Sequence, residues 1–505
     1  MYNMVPRDYG AQVREGYSEW ANGWTGDAEA KTVIPYEGTA SDDSLDKLWV
    51  ANRQGIWNVS TISETAPVQD VAFPDNGTGA GICSFIQYVT DADGAWLLLC
   101  DERNGYYVYR ESTNTWSKPV QGVGGTDIAN VNPALLAYVV VWKERVWFVE
   151  RDTGFAWYLA NGAVYGAATR FNFGRNFKAG GELRAIFNWS LDGGEGIDDY
   201  LVAVSAAGDV VIFKGSDPEQ QTFGMVGVWN IGKVPAGRRI GTDFGGEVYL
   251  LSIQGLFPLS QVFQGSATQD PQLYLTYKVS PFLRDIMATS IDDFGWNVYA
   301  RPAEGGLAIA TPTVIGLSTV QFLFDYGTQA WGISRGINQA HAMNWQGKLY
   351  FTDTETNKLW YENGVNVDKV HIDPTADGVA QTIAFSILTA YQGYGSSAVY
   401  KRMQFLRPMW LGGGIPVFDI QARYDFDVGE VLTTPPIAGS ATSGIWNNAA
   451  STWDLAVWGG SLRASDNPRG ANGMGRHIAV AMRGLSAESV TLVGIDAIWD
   501  TGGVM

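Results

Sequence analysis

Residues 96–109 read Trp96-Leu97-Leu98-Leu99-Cys100-Asp101-Glu102-Arg103-Asn104-Gly105-Tyr106-Tyr107-Val108-Tyr109, the clearest copy of a pattern that recurs along the chain. An apolar run leads into a polar turn that ends in Asn-Gly, and a second run is rich in aromatic residues. Aromatic residues favour strands, and Asn-Gly supplies the positive φ that a tight hairpin turn requires. The stretch therefore predicts two antiparallel strands joined by a short turn.

The same pattern recurs along the chain. The copies pair Leu48-Trp49-Val50 with Ile56-Trp57-Asn58-Val59, Trp96–Leu99 with Tyr106–Tyr109, Val146–Val149 with Phe155–Tyr158, Leu201–Val204 with Val210–Phe213, Val248–Leu251 with Leu256–Leu259, Asn297–Ala300 with Leu307–Ile309, and Lys348–Phe351 with Lys358–Tyr361. The turn glycines at 55, 105, 154, 208, 255 and 305 are 50, 49, 54, 47 and 50 residues apart, and the polar turn at Asn357 follows 52 residues later. A sandwich of unrelated hairpins, with a turn about every 8–12 residues, would not keep this step. The repeat predicts an all-β protein with a six- or seven-bladed β-propeller, whose sheets cover one another by packing radially.

Two other local patterns accompany the repeat. An aromatic residue is followed seven positions later by tryptophan after two of the hairpins, from Tyr109 to Trp116 and from Phe324 to Trp331. The strand pattern is irregular between residues 256 and 296, where Ser280–Met287 predicts a short helix with Ser280 as its cap and Pro281 at its first position.

The chain divides by pattern into three segments. Residues 1–44 precede the repeat and contain the strand-like Thr32–Tyr36, which either completes the last blade or belongs to an arm. Residues 45–372 hold the propeller. Residues 373–505, beginning near Asp373-Pro374, form a C-terminal antiparallel β domain, because apolar and polar residues alternate cleanly along Val417–Phe426.

Composition and charge exclude several classes of protein. Apolar residues make up 46% of the 505-residue chain, which excludes a disordered chain. The net charge is −18, whereas a protein that grips nucleic acid needs clustered Lys and Arg. No apolar run approaches the length of a membrane-spanning helix, so no membrane partner is expected. The first residues lack a basic region followed by an apolar one, so we expect no secretory signal.

The scarce cysteines and histidines give no metal or redox motif. Cys83 and Cys100 lie in strand-like sequence without CxxC spacing, and we expect two buried thiols rather than a disulfide. His341, His371 and His477 are far apart and lack HExxH spacing. We therefore assign no catalytic, cofactor-binding or metal-binding residue, and we expect no cofactor.

Two alternative functions for a propeller stay open at this point. A lectin or adhesin would need exposed rings to stack on sugars, for which Trp116 and Trp331 are the candidates, although inter-blade packing explains both more simply. A glycosidase needs paired carboxylates. The acidic stretches Asp192–Glu195 and Asp198-Asp199 read instead as loops. Gly412-Gly413-Gly414 lacks the lysine of a phosphate-binding loop and reads as a turn.

The two ends of the chain resemble a known family. These stretches are Asn3–Gly10, Val13–Trp20, Thr32–Tyr36, Lys47–Ala51, Gly473–Arg476 and Gly494–Gly503. They are similar to tail hub, or nozzle, proteins of short-tailed bacteriophages. The resemblance implies a non-enzymatic structural virion protein of the viral tail, built on a β-propeller and made in the host cytoplasm.

The resemblance also implies a set of partners. Six copies would form a homohexameric ring below the head–tail adaptor and would contact tail fibre, spike or needle proteins. Genomic DNA would pass through the ring during ejection without being bound specifically. The net charge of −18 fits an acidic lumen that repels phosphate, and it fits equally well charge spread over the outside for solubility.

Overall fold

The computed structural model describes residues 1–26, 29–90, 94–192, 197–265, 270–312, 319–354, 356–372, 380–427, 463–465 and 468–501. The chain forms two compact units. Unit 1 comprises residues 1–19, 322–335 and 362–505, and unit 2 comprises residues 20–321 and 336–361. The described helices are all too short or too polar to cross a membrane.

Unit 2 is a β-propeller, and seven blades can be traced in the described residues. We call the strands of each blade a to d, from the propeller axis outward. The blades are blade 1 (Thr32–Tyr36, Lys47–Asn52, Gly55–Asn58, Val68–Ala72), blade 2 (Cys83–Thr90, Gly94–Asp101, Gly105–Arg110, Thr115–Ser117), blade 3 (Leu136–Trp142, Arg145–Glu150, Phe155–Tyr158, Thr169–Asn172), blade 4 (Leu183–Asp192, Ile197–Ser205, Asp209–Lys214, Gly224–Asn230), blade 5 (Gly241–Phe244, Glu247–Ser252, Gly255–Pro258), blade 6 (Asn297–Arg301, Gly306–Ala310, Val320–Asp325, Ala330–Arg335) and blade 7 (Gln339–Trp345, Lys348–Asp353, Lys358–Tyr361, Ser18–Asn22). Residues 322–335 of blade 6 and Ser18-Glu19 of blade 7 are counted with unit 1.

The blades close into a ring. Each strand a contacts the next blade, and strand a of blade 7 contacts strand a of blade 1. Apolar side chains fill the spaces between blades: the ring of Trp49 in blade 1, for example, lies 4.9 Å from that of Tyr109 and 5.2 Å from that of Trp116 in blade 2. The expectation of an all-β protein with a six- or seven-bladed propeller is thus confirmed.

The repeat marks strands b and c in six of the seven copies. In the sixth copy, Asn297–Ala300 and Leu307–Ile309 belong instead to strands a and b of blade 6. The glycine at 305 therefore stands in an a–b turn, and its even spacing from Gly255 does not reflect equivalent positions. The Phe324-to-Trp331 pattern spans strands c and d of blade 6, as Tyr109-to-Trp116 does in blade 2, and so identifies the correct equivalence.

The N-terminal strands do not lie where the sequence placed them. Thr32–Tyr36 is strand a of blade 1 and pairs with Lys47–Ala51, so it neither completes the last blade nor belongs to an arm. Ser18–Asn22 takes that position as strand d of blade 7. The ring is therefore closed by joining a strand from before the repeat to the last hairpin.

The predicted helix exists but begins differently. It spans Ser280–Ser290 after a short helix at Leu259–Phe263. Ser280 has helical dihedrals and its hydroxyl donates to the carbonyl of Thr276, so it is the first helical residue rather than the cap. Pro281 lies in the first turn, where its missing N–H costs nothing.

Unit 1 contains two β-sheets around one apolar core. The larger sheet has the order Met4–Arg7, Gly10–Val13, Val490–Thr501, Lys401–Gly412, Arg463–Ser465, with Arg469–Gly470 and Met474–Gly475 also paired to Lys401–Gly412. The smaller sheet has the order Val367–Asp368, Gln381–Leu388, Ile478–Ser486, Val417–Tyr424. Trp410, Met403 and Leu492 of the larger sheet join Phe385 and Met482 of the smaller sheet in one cluster.

The two units differ from the predicted segments 1–44, 45–372 and 373–505. Residues 1–44 supply strands to both units rather than forming one arm, and the predicted boundary at Asp373-Pro374 lies outside the described residues. The alternating strand is present at Val417–Tyr424, with Phe418 and Ile420 buried. It ends before Phe426, which has a φ of 69° and is 62% exposed, so Phe426 does not share the buried face.

Candidate functional site

A cavity of about 870 Å³ lies along the propeller axis. Strands a of blades 2 to 7 line it. Its polar lining includes Ser84, Asn188, Asn297, His341 and Asn344, together with Arg238 and Arg239. These two arginines immediately precede strand a of blade 5, and their side chains make the contacts that define the site.

Arg238 joins three blades. Its Nε and Nη2 donate to the two carboxylate oxygens of Glu102, in the b–c turn of blade 2, at 2.8 and 3.0 Å. Its Nη1 donates to the carbonyls of Leu183 and Arg184, where blade 4 begins. Burial lowers the pKa of Arg238, but the Glu102 carboxylate outweighs burial and holds that pKa above its usual value. The result is a buried ion pair in which Arg238 makes four hydrogen bonds.

Arg239 extends to blades 1 and 2 without an anionic partner. Its Nη1 donates to the carbonyl of Lys31 at 3.0 Å, and its Nη2 donates to the Thr32 hydroxyl and, at 3.3 Å, to the carbonyl of Cys83. Across the described part of the chain, its guanidinium forms no ion pair. Burial lowers the pKa of Arg239 to about 10, so the group stays charged at neutral pH. Together, Arg238 and Arg239 link blades on different sides of the axis.

His341 lies in strand a of blade 7 and is 2% exposed. Its Nδ1 accepts the backbone N–H of Val33 at 3.0 Å, so the ring proton is on Nε2. Burial and the charge of Arg239 lower the pKa of His341 well below its usual value. His341 is therefore a neutral hydrogen-bond donor in the wall of the cavity.

The other histidines belong to unit 1. His371 Nδ1 lies 2.7 Å from Glu19 Oε2, and the ring of His477 packs 5.1 Å from that of Phe426. In the portion of the chain that the structure describes, no three side chains of the metal-ligating types form a cluster that could hold an ion.

Both cysteines are free, buried thiols in adjacent strands of blade 2, as the sequence predicts. Cys83 is paired in register with Asp101, and its Sγ lies 3.7 Å from an oxygen of that carboxylate. Burial raises the pKa of both thiols well above the usual value. A thiol that stays protonated is a poor nucleophile and a poor metal ligand.

The tryptophans considered for sugar stacking pack against other rings. Trp331 is 8% exposed, and its ring centroid lies 5.0 Å from that of Phe324. Trp116 is half-buried against Trp49 and Tyr109. Both side chains therefore take part in aromatic packing within and between blades.

The acidic and glycine-rich stretches have ordinary structural positions. Asp198-Asp199 lies in strand b of blade 4, so the prediction of a loop there was wrong, and Asp199 accepts a bond of 2.5 Å from Lys143 Nζ. In the predicted Asp192–Glu195 loop, Asp192 is the last residue of strand a of blade 4, and residues 193–195 lie outside the described residues. Gly413 and Gly414 form the predicted turn between Lys401–Gly412 and Val417–Tyr424.

The sequence reasoning missed a set of buried polar residues at the end of strand b. Asn52 Oδ1 accepts the backbone N–H of Gln54 and of Gly55, Asp101 Oδ1 accepts those of Arg103 and Asn104, and Ser252 Oγ accepts that of Gln254. Each side chain stabilises its b–c turn. A polar residue three or four positions before the turn glycine is the sequence signal that could have found them.

No protein-family model and no curated protein matches the sequence. Among solved structures, the extracellular domain of a protein described as a hybrid two component system from B. thetaiotaomicron aligns at 13% identity and a TM-score of 0.43, over 71% of this chain and 44% of that chain. Raptor of Chaetomium thermophilum aligns at 11% identity and a TM-score of 0.39, over 69% and 29% of the two chains. YCF48 bound to D1 peptide aligns at 10% identity and a TM-score of 0.36, over 66% and 92%. The chain thus spans less than half the length of the first two.

Proposed function

We propose that this protein is a structural subunit of a short-tailed phage tail. About six copies form a hub or nozzle ring that is attached below the head–tail adaptor, contacts fibre, spike or needle proteins and lets DNA leave the capsid. In this role the protein is not an enzyme, needs no cofactor and is part of the virion.

One observation carries the proposal: stretches from both ends of the chain that resemble the tail hub family meet in a single sheet. Met4–Arg7 and Gly10–Val13 come from the start of the chain, and Met474–Gly475 and Val490–Thr501 come from its end. Ala11 pairs with Leu492, and Lys401–Gly412 pairs with both C-terminal strands. Three of the resembling stretches thus contribute strands to one sheet, and two others, Thr32–Tyr36 and Lys47–Ala51, pair with each other in blade 1.

The proposal separates the DNA path from the propeller axis. Arg238 and Arg239 link opposite parts of the propeller through side-chain bonds, so DNA would pass through the opening between subunits. An acidic surface on that opening would keep the path non-adhesive, in line with the net charge of −18.

The mass of the full-length protein tests this proposal. Light scattering is expected to give about six times the 54.9 kDa of the chain for the free ring, or to add that mass to a head–tail adaptor ring, and negative-stain images are expected to show a ring. The protein is also expected to co-purify with intact virions. A stable monomer that never assembles on an adaptor ring would contradict the proposal, as would tight binding on a glycan array that Trp116→Ala abolishes.

A further inference from the structure

We propose that the axial cavity of unit 2 binds the oxyanion group of a small molecule (a carboxylate, sulfate or phosphate) between Arg239, Asn297 and His341. The site is independent of the tail function proposed above. It rests on hydrogen-bond donors that converge on one cavity while lacking acceptors within the described protein.

Arg239 supplies the positive charge. A guanidinium carries five N–H groups, and three of those of Arg239 donate to Lys31, Thr32 and Cys83. The Nε–H and one Nη1–H have no acceptor among the described residues. All three hydrogen-bond partners are neutral. The Asp101 carboxylate attracts the guanidinium, but no ion pair among the described residues neutralises its charge. An oxyanion would balance it and accept the two remaining bonds.

Asn297 supplies a second donor next to Arg239. The backbone N–H of Val298 donates to the carbonyl of Arg239 at 3.2 Å, which holds strand a of blade 6 beside the arginine. Asn297 lines the cavity and is 3% exposed, and its buried Nδ2 has no hydrogen-bond partner within the described chain. Leaving such a group without an acceptor destabilises a fold, so an amide at this place points to a ligand.

His341 supplies a third donor. Its Nδ1 is occupied by the Val33 N–H, which leaves the Nε2–H as the free donor of a ring that lines the same cavity. The site thus has three hydrogen-bond donors: a neutral imidazole, an amide and a guanidinium. Such a site favours a group rich in acceptors and disfavours a cation.

The charged side chains that line the cavity also favour an anion over a cation. Among the described lining residues, the charged side chains are Arg238, Arg239 and Asp243, and Arg238 is neutralised by Glu102. Asp243 lies in strand a of blade 5, four residues beyond Arg239. The whole chain carries −18, so anions are not attracted to the protein in general. Binding must therefore come from these specific groups.

The cavity of about 870 Å³ is larger than an inorganic oxyanion. A small organic acid or phosphate ester can place its anionic group at Arg239 and its remainder along strands a. Inorganic sulfate and phosphate are the simplest probes because they present the same oxygen acceptors without that remainder.

Calorimetric titration of the full-length protein with sodium sulfate and sodium phosphate, against sodium chloride at equal ionic strength, tests the site. We expect saturable binding of one oxyanion per chain. Arg239→Gln is expected to weaken binding by about tenfold or more, because it removes the charged donor. Arg103→Gln is the matched control, since it removes one positive charge from an exposed ion pair with Asp75 and should leave binding unchanged.

Asn297→Ala provides the second variant if Arg239→Gln does not fold. It removes a donor that has no partner in the described protein, so the variant should fold and bind sulfate more weakly. Sulfate and phosphate that bind no better than chloride would overturn the proposal. So would a folded Arg239→Gln or Asn297→Ala variant with the wild-type affinity.

Discussion

The propeller and the two-sheet unit use similar strands but connect them in opposite ways. In blade 2, four strands that follow one another along the chain make one sheet. In unit 1, Gly10–Val13 pairs with Val490–Thr501, from the other end of the chain. Consecutive strands need only a turn signal to pair, whereas strands from opposite ends must be selected by their packing.

This difference decides where each unit is vulnerable. The propeller distributes its apolar core among the spaces between blades, as in the separate clusters around Trp49 and around Trp147. Among the described residues of unit 1, both sheets contribute to a shared cluster. A single large cavity should therefore affect all of unit 1, whereas the long-range links of the propeller are concentrated in a few side chains at its axis.

Trp410→Ala should have the largest effect. Trp410 is 2% exposed, and its ring lies between Phe385 and Phe418 of the other sheet. Loss of this side chain should cost about 3–5 kcal/mol of unfolding free energy, towards the upper end because tryptophan leaves the largest cavity. Urea denaturation measures the loss, and hydrogen exchange should show weaker protection in Gly10–Val13. Trp499→Ala, at a position 38% exposed, is the control. Unchanged protection of Gly10–Val13 in Trp410→Ala would show that the core of unit 1 does not act as one body.

Glu102→Gln tests the long-range link at the propeller axis. The substitution leaves Arg238 buried without an anion and should cost about 3 kcal/mol, because the amide oxygen keeps only one of the two bonds. Asp75→Asn removes the partner of Arg103 in an exposed pair and should be close to neutral. Thermal and urea unfolding measure both. A Glu102→Leu, Arg238→Met double variant should recover part of the loss, and a double variant worse than Glu102→Gln would contradict this account.

The b–c turn of blade 2 should make stability depend on pH. Burial raises the pKa of Asp101 to about 6, despite the N–H groups that donate to its carboxylate. The folded protein then holds this proton more tightly than the unfolded chain, so the contribution of Asp101 is greatest below about pH 4 and falls as the pH rises through about 6. The change should be on the order of 2–3 kcal/mol.

The Asp101→Asn substitution removes the titrating carboxyl group. Asparagine suits this position, because Asn52 accepts the backbone N–H of Gly55 in the equivalent turn of blade 1. The difference between the wild-type and variant unfolding free energies should vary between pH 4 and pH 6.5 and be flat above that range. A difference that is constant across this range would contradict the raised pKa.

The same contrast explains what could be predicted from the sequence. The Asn104-Gly105 turn and its flanking aromatic strands carry a local signal, and the structure has the expected hairpin there. The position of Ser18–Asn22 in blade 7 and the pairing of Ala11 with Leu492 carry no such signal, because they depend on contacts between distant segments. The axial cavity was missed for the same reason: Arg239, Asn297 and His341 come from three different blades. In blade 6 an even glycine spacing misled the assignment, because position 305 is an a–b turn.

Replacing Gly105 and Gly305 with alanine should distinguish the b–c turn of blade 2 from the a–b turn of blade 6. The expected losses of unfolding free energy are the smallest of these predictions. Both residues have left-handed dihedrals, with φ of 82° and 65°, which cost a residue with a Cβ about 1 kcal/mol or more. A Cβ at Gly105 would also lie 2.1 Å from the carbonyl oxygen of Pro133, whereas one at Gly305 would meet nothing within 4 Å. Gly105→Ala should therefore cost about 2 kcal/mol and Gly305→Ala about 1 kcal/mol in urea unfolding. Equal losses would contradict this expectation, because they would mean that the nearby carbonyl of Pro133 adds no steric cost at Gly105.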